Sequence, residues 1–244
     1  MLQCLFAFGS LVYMRLHRFY VLQPLGEEVV IQDVSLVNQW TKVFRYEVGD
    51  FVILFNGDGS DYQYSLDAIT KKECALHFVK SSPSYIPSRK ITLCLSVIKK
   101  DNFELAVQKA TELGVTTITP ILSSRSEKKN LSIDRLHKIA IESAEQCGRG
   151  DIPTITDIIS LKKLPQNIIE ADELITLSID GVPLIERVTL HNTTDVVIFI
   201  GPEGGWSDED TAYLVEYGAK PHSLGKTMLR AETAAIAACT LLCI

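Results

Sequence analysis

The chain has 244 residues, 46% of them hydrophobic, enough for one large or two small folded domains with a real core. Its formal net charge of −6 at pH 7 excludes the overall basic field of a non-specific nucleic-acid binder, so any RNA contact has to come from a local patch. Six cysteines (Cys4, Cys74, Cys94, Cys147, Cys239, Cys243) are scattered, without a C-x-x-C or a histidine at zinc-ligand spacing. They read as core thiols of a reduced, cytoplasmic protein that holds no metal.

Residues 1–13 are apolar and uncharged, but too short to span a bilayer and preceded by no basic residue, so no membrane segment is expected. From Met14 to about Val79 the apolar runs are short and turn-bounded, at 19–22, 29–31, 51–55, 62–66 and 74–79, which predicts a small β-barrel. One helix interrupts them, with Leu36, Val37, Trp40, Val43 and Phe44 on one face, and Asn56-Gly57-Asp58-Gly59 reads as a hairpin turn. Arg15, His17, Arg18, Lys42 and Arg45 supply basic groups that can touch RNA or form an ordinary solvated face. The Ser- and Pro-rich stretch 81–90 reads as an interdomain linker.

The second half alternates strands and helices, as a parallel sheet covered on both faces must. A strand over 91–98 precedes a helix opened by an Asp101–Glu104 capping box, with Phe103, Ala106, Val107, Ala110 and Leu113 on one face and Gly114 at its end. A strand over 117–122, a polar loop over 123–130 and a helix over 132–147 follow, the last with Leu136, Ile139, Ala140, Ser143, Ala144 and Cys147 inward. Gly148 and Gly150 then bracket Arg149, and further strands are predicted over 174–179, 196–200 and 221–224.

Residues 195–235 are the densest in signals. The apolar run 196–200 is a strand buried on both faces, and Gly201-Pro202-Glu203-Gly204-Gly205-Trp206 follows it as a loop able to let a ligand touch the backbone. Ser207 with Asp210 fits a capping box, and Gly218 a C-terminal cap. Asp208, Glu209 and Asp210 would repel phosphate; the glycines do not make G-x-G-x-x-G, and Lys220 stands where a Walker A loop ending at Thr227 needs glycine. A neutral or cationic ligand, such as an adenosyl sulfonium, fits the acidic rim better. A second loop, Leu224-Gly225-Lys226-Thr227-Met228-Leu229-Arg230, leads into a helix from Ala231 to Cys243, apolar almost all round, which requires burial on more than one side.

Taken together, Gly201-Pro202-Glu203-Gly204-Gly205 and the segment from Leu224-Gly225 through Leu229-Arg230-Ala231-Glu232-Thr233-Ala234 resemble the paired loops of the SPOUT superfamily of S-adenosylmethionine-dependent RNA methyltransferases. With Gln108-Lys109-Ala110-Thr111-Glu112-Leu113-Gly114, Ala144-Glu145-Gln146-Cys147-Gly148-Arg149 and Val43-Phe44-Arg45, the chain is similar to the 16S ribosomal RNA uridine-N3 methyltransferase (RsmE) family. Phe44 stands where that family usually has leucine, and Thr227 where it often has arginine.

The resemblance implies an α/β fold: a SPOUT-type parallel sheet with a trefoil knot over 91–244, a linker over 81–90 and a small PUA-like β-barrel over 14–80 that helps bind RNA. Met14 resembles the family's usual start, so 1–13 reads as an extension. The methyl donor, S-adenosyl-L-methionine, is expected between the loops after Leu177, Ile200 and Leu224, with Gly201, Gly205 and Gly225 giving close approach and Leu224, Met228 and Leu229 walling the adenine. Arg230 is expected to stabilise charge on the uracil carbonyls, or else to be a structural ion-pair partner of Glu232 or another carboxylate, and Glu203 or Glu232 to accept the proton or balance the sulfonium. His222 is more readily structural than a base. Arg15, Arg18, Arg45 and Arg149 are the expected RNA contacts; Arg125, Lys128, Lys129 and Arg149 read equally as phosphate contacts or as ordinary solvated charges. The implied partners are 16S ribosomal RNA or the 30S subunit and a second copy of the chain. The alternatives are a SPOUT enzyme acting on another RNA nucleoside and an inactive RNA-binding protein.

Overall fold

The computed structural model describes residues 16–126, 131–188 and 194–243. Arg15, Lys128, Lys129 and the stretch before Met14 lie outside the described residues. The chain divides into two units, residues 16–54 with 62–81 and residues 55–61 with 82–243.

The first unit is built on a five-stranded sheet, β1 (Arg18–Tyr20), β2 (Glu28–Ile31), β3 (Phe51–Phe55), β4 (Ser60–Ile69) and β5 (Cys74–Pro83), in the order β1-β3-β4-β5-β2. The Asn56–Gly59 turn joins the antiparallel pair β3–β4, with Gly57 and Gly59 at φ 93° and 90°. β5 continues to Pro83, into the stretch read as linker. Helix α1 (Val34–Asn38) is capped by Asp33, whose side chain accepts from Ser35 N at 2.8 Å. A π-helical turn over Gln39–Phe44 continues it. Val37 and Trp40 are fully buried, but Val43 is 70% exposed rather than inward. The wider i→i+5 winding rotates Val43 off the face an α-helix would give it.

The second unit holds a seven-stranded parallel sheet formed by β6 (Lys90–Ser96), β7 (Thr117–Leu122), β8 (Thr154–Ile155), β9 (Ile159–Ser160), β10 (Glu173–Pro183), β11 (Asp195–Ile200) and β12 (Lys220–Ser223). Its order is β12-β10-β11-β6-β7-β8, with β9 also on β7. The central strands β6 and β11 are buried nearly end to end, so both faces are covered. Helix α2 (Lys100–Leu113) begins one residue before Asp101, at an N-cap of Lys99 with no side-chain cap, so the expected Asp101 box does not form. Asp101 instead sits in the first turn, where its charge meets the helix dipole. Gly114 ends the helix in the left-handed region at φ 103°.

Helix α3 (Ile133–Cys147), capped by Ser132, buries Leu136, Ile139, Ala140, Ser143 and Ala144. Its last residue, Cys147, is exposed, a correction to the inward face read from periodicity; the helix ends at that turn. After α4 (Gln166–Ile169), α5 (Leu184–Val188) and α6 (Asp208–Glu216), α7 (Ala231–Cys243) packs on α2 and on strands β6 and β11. Its alanines and Cys239 let these elements come close.

β10 departs from regular pairing. Leu177 and Val182 both register against His222 of β12, and residues 178–181 loop out between them.

Candidate active site

A cavity of about 470 Å³ lies where β10, β11 and β12 end, the position at which open parallel sheets hold ligands. It is lined by Leu177, Gly201, Glu203, Gly205, Leu224, Gly225, Met228, Leu229 and Arg230, together with Trp206, Thr227 and the small Ala231 and Ala234 of α7. Residues far apart in sequence thus meet in one place. Such a volume falls within the roughly 300–1,000 Å³ of small-molecule sites.

The first loop is held from three sides. Gly205 N donates to Pro202 O at 2.9 Å, and Gly205 takes φ 69°. Arg125 Nη1 donates to Gly204 O at 2.8 Å and Trp206 O at 3.3 Å. Trp206 Nε1 donates to Thr176 Oγ1 at 3.1 Å, and a Cβ on Gly201 would come within 3.2 Å of the indole. The capping box forms: Ser207 Oγ accepts from Asp210 N at 3.1 Å, while Asp210 accepts from Ser207 N and from Ser124 N and Oγ. Asp210 is therefore 1% exposed. Burial raises its pKa, but the hydrogen bonds from Ser207 and Ser124 outweigh that and hold the carboxyl below its usual range.

In the second loop Gly225 sits at φ 129°, a conformation strained for any other residue. Met228 is 84% exposed at the cavity rim, and Arg230 is exposed too. Arg230 and Glu203 are the charged groups among the lining residues. Glu203 Oε1 accepts from Lys99 N at 3.3 Å. Glu232 does not line the cavity: it is 7% exposed, its Oε2 is buried without a hydrogen-bond partner, and Arg230 makes no ion pair with it. An apolar wall with backbone amides and carbonyls at the glycines suits adenine, and a single exposed carboxylate at the rim suits a cationic sulfonium. The residues present therefore fit S-adenosylmethionine and not a polyphosphate.

One expectation from sequence is corrected. Arg149 is 2% exposed: its Nη1 donates to Thr111 O and Val115 O, both at 2.9 Å, and its Nη2 reaches Asp151 at 2.8 Å. It joins α2 to the chain after α3 and cannot reach a phosphate. Arg125, read as a phosphate contact, is exposed and also holds the first loop through Nη1. Arg18 is half-buried on β1 and Arg45 is exposed at the end of the π-helical turn. His222 is buried, its Nδ1 3.1 Å from Lys220 O, and lies outside the cavity lining. Trp206, Ser178 and Ile179 line the site without having been singled out from sequence; for Trp206 its place directly after the glycine pair was the available signal. Among the described residues no group of three or more His, Cys, Asp and Glu side chains is arranged to hold a metal, and no helix is long and apolar enough to cross a membrane.

Residues 86–243 match the RNA methyltransferase domain family, and residues 41–79 the RNA methyltransferase PUA domain. Sheet, loops and cavity define an S-adenosylmethionine-dependent RNA methyltransferase of the SPOUT class with a PUA-like N-terminal part. A methyltransferase from Legionella pneumophila, solved with bound S-adenosylmethionine, is 30% identical with a TM-score of 0.82 over 93% of this chain and 97% of its own. The ribosomal RNA small subunit methyltransferase E of Neisseria gonorrhoeae, also bound to S-adenosylmethionine, is 29% identical with a TM-score of 0.81 over 92% and 95%. The proteins of that name from Rickettsia conorii and Aquifex aeolicus are each 32% identical, over 92% and 93% of this chain and 94% and 99% of their own. The chain belongs to the ribosomal RNA small subunit methyltransferase E family.

Proposed function

We propose that this protein transfers a methyl group from S-adenosylmethionine to N3 of a uridine in 16S ribosomal RNA, within the assembled small subunit and in the cytoplasm. The observation that carries the reading is the convergence of both glycine loops and Arg230 on one apolar cavity at the sheet's C-terminal edge.

When bound, S-adenosylmethionine supplies an electrophilic methyl on a cationic sulfur. Leu224, Met228 and Leu229 would hold the adenine, with Leu177 and the backbone at Gly201, Gly205 and Gly225 lining the same cavity around the donor. Uridine N3 is nucleophilic only once its proton leaves, so catalysis is largely positioning and charge stabilisation. Arg230 donates to the uracil carbonyl oxygens, where negative charge develops. Glu203, the carboxylate exposed at the cavity, takes the N3 proton; Glu232, buried at the start of α7 and outside the cavity lining, has no part in the transfer.

In this reading 14–80 is the PUA-like RNA-binding domain, 81–90 the linker and 91–244 the SPOUT domain, with a trefoil knot near its C-terminus. Arg18 and Arg45 contact RNA. The protein acts as a homodimer; the apolar α7, whose burial a subunit interface was expected to supply, already packs on α2, β6 and β11, and the exposed Ile179, Val182 and Ile185, at 47%, 58% and 63%, offer a face for the second copy. Light scattering at micromolar concentration then gives twice the chain mass; a single chain mass contradicts the dimer.

The test of activity is transfer of labelled methyl from S-adenosylmethionine to small subunits from cells lacking this gene. The reading predicts label in 16S RNA; no label, with donor binding intact, would point to a different substrate.

A further inference from the structure

Arg45 is the non-glycine residue with positive φ among the described residues, at φ 58° and ψ 42°. It ends the π-helical turn, a position where helices usually place glycine because a Cβ there crowds the following carbonyl. The conformation is held by two N–H groups on one carbonyl: Arg45 N and Tyr46 N both donate to Trp40 O, the latter at 3.0 Å. Trp40 is fully buried, so the strained turn is fixed from beneath.

The turn also brings the neighbouring rings together. Phe44 and Tyr46 stack at 5.4 Å with an interplanar angle of 14°. His17 lies on Phe44 at 4.2 Å, and its Nδ1 is 2.6 Å from Tyr46 Oη. Phe19, 2% exposed, supports Phe44 edge-on at 5.6 Å. His17 is exposed, while Phe44 and Tyr46 are half-buried, so rings anchored in the core reach the surface beside an exposed guanidinium. Among the described residues the Arg45 guanidinium has no hydrogen-bond or ion-pair partner. Of the nearby acids, Asp50 accepts from Glu47 N at 2.8 Å. Such strain persists only where the surrounding structure fixes it, and strained residues cluster at functional sites.

We infer that His17, Phe44 and Tyr46 form a seat for one unpaired RNA nucleobase, with Arg45 on the adjoining phosphate. The inference rests on the RNA-substrate reading above and adds to it the class of nucleotide contact. Aromatic faces stack on any base, and a guanidinium beside them binds the backbone, so the seat takes single-stranded RNA without reading its sequence. Burial and then Asp50 push the Tyr46 phenol up to about 12, and its hydroxyl lies 2.6 Å from the His17 ring nitrogen.

The test measures binding of the full chain to a fluorescent oligouridylate across a salt series, with Arg45→Gly, His17→Ala and Phe44→Leu. Thermal melting and S-adenosylmethionine calorimetry serve as controls. Arg45→Gly is expected to melt no lower than the parent, lose RNA affinity and reduce the salt slope by about one contact. His17→Ala and Phe44→Leu are expected to lose affinity on the order of ten-fold, without change in salt slope and with donor binding intact. The inference is overturned if Arg45→Gly keeps affinity and slope, or if both ring variants bind as the parent does. It is also overturned if the parent binds no oligouridylate. Methyl transfer to small subunits, assayed on the same samples, reports separately on the RNA-methyltransferase reading.

Discussion

Gly181 and His222 meet backbone to backbone: a Cβ on Gly181 would lie 2.6 Å from the carbonyl carbon of His222 and 2.7 Å from its Cα and N. The contact lies where Leu177 and Val182 both register against His222, so residues 178–181 must loop out and turn back. Ser178 and Ile179 of that loop line the donor cavity. Gly181→Ala has no flexible side chain to displace and is expected to cost about 2–3 kcal/mol in chemical denaturation. Calorimetry should also show weaker donor binding; an unchanged midpoint and affinity would mean that the two strands separate freely there.

Arg149 answers two carbonyls and one carboxylate from a buried position. Arg149→Ala leaves Thr111 O and Val115 O unsatisfied and opens a cavity, so a loss of ~3 kcal/mol or more is expected. RNA affinity per folded molecule should stay unchanged. Reduced affinity at full stability would return Arg149 to the RNA surface.

The hydrogen-bonded Asp210 makes the first loop sensitive to acid. Its folded pKa lies below the unfolded value of 3.8, so the stabilisation is fully present above that value and is lost as pH falls through the lower folded pKa. Asp210→Asn should therefore cost about 1–2 kcal/mol at pH 7 and flatten the stability profile below about pH 4. Equal acid dependence in variant and parent would remove Asp210 from the account.

Kinetics separate binding from chemistry at the two charged lining residues. Arg230→Ala is expected to lower kcat by roughly 10²-fold while donor affinity stays within about two-fold. Near-normal turnover with unchanged donor affinity would show that the guanidinium does not stabilise the transition state. Glu203→Gln should lower kcat with donor affinity little changed; an unchanged kcat would remove Glu203 as the proton acceptor.

Thiol chemistry reports the burial of the sheet and α7. Burial pushes the Cys94 and Cys239 thiols well up, and Cys243 to about 11, its burial outweighing the pull of Arg89 and Arg149. Cys147 is exposed. Among the described residues, iodoacetamide at pH 8 should modify Cys147 first and reach Cys94 and Cys239 only in denaturant. Early modification of Cys94 would contradict the closed sheet.

Periodicity and glycine placement made the parallel sheet legible, because strands such as 196–200 are buried on both faces and α2 shows one clean apolar face. The Ser207–Asp210 box was legible for a local reason: its partners are three residues apart. Arg149 was misread because the carbonyls it answers come from residues 34 to 38 positions away, and an arginine between glycines looks the same on a surface. Val43 was misread because nothing local announces a π-helical turn, which α-helical spacing then mistracks. The cavity needed three strand ends to coincide, which followed from the motifs' resemblance and not from spacing.

The central claim is methylation of uridine N3 in 16S RNA. Its most direct test is nucleoside mass spectrometry of 16S RNA from cells lacking this gene, before and after the gene is restored. The account predicts that N3-methyluridine disappears and returns. An unchanged profile, or the loss of a different methylated nucleoside, would contradict it.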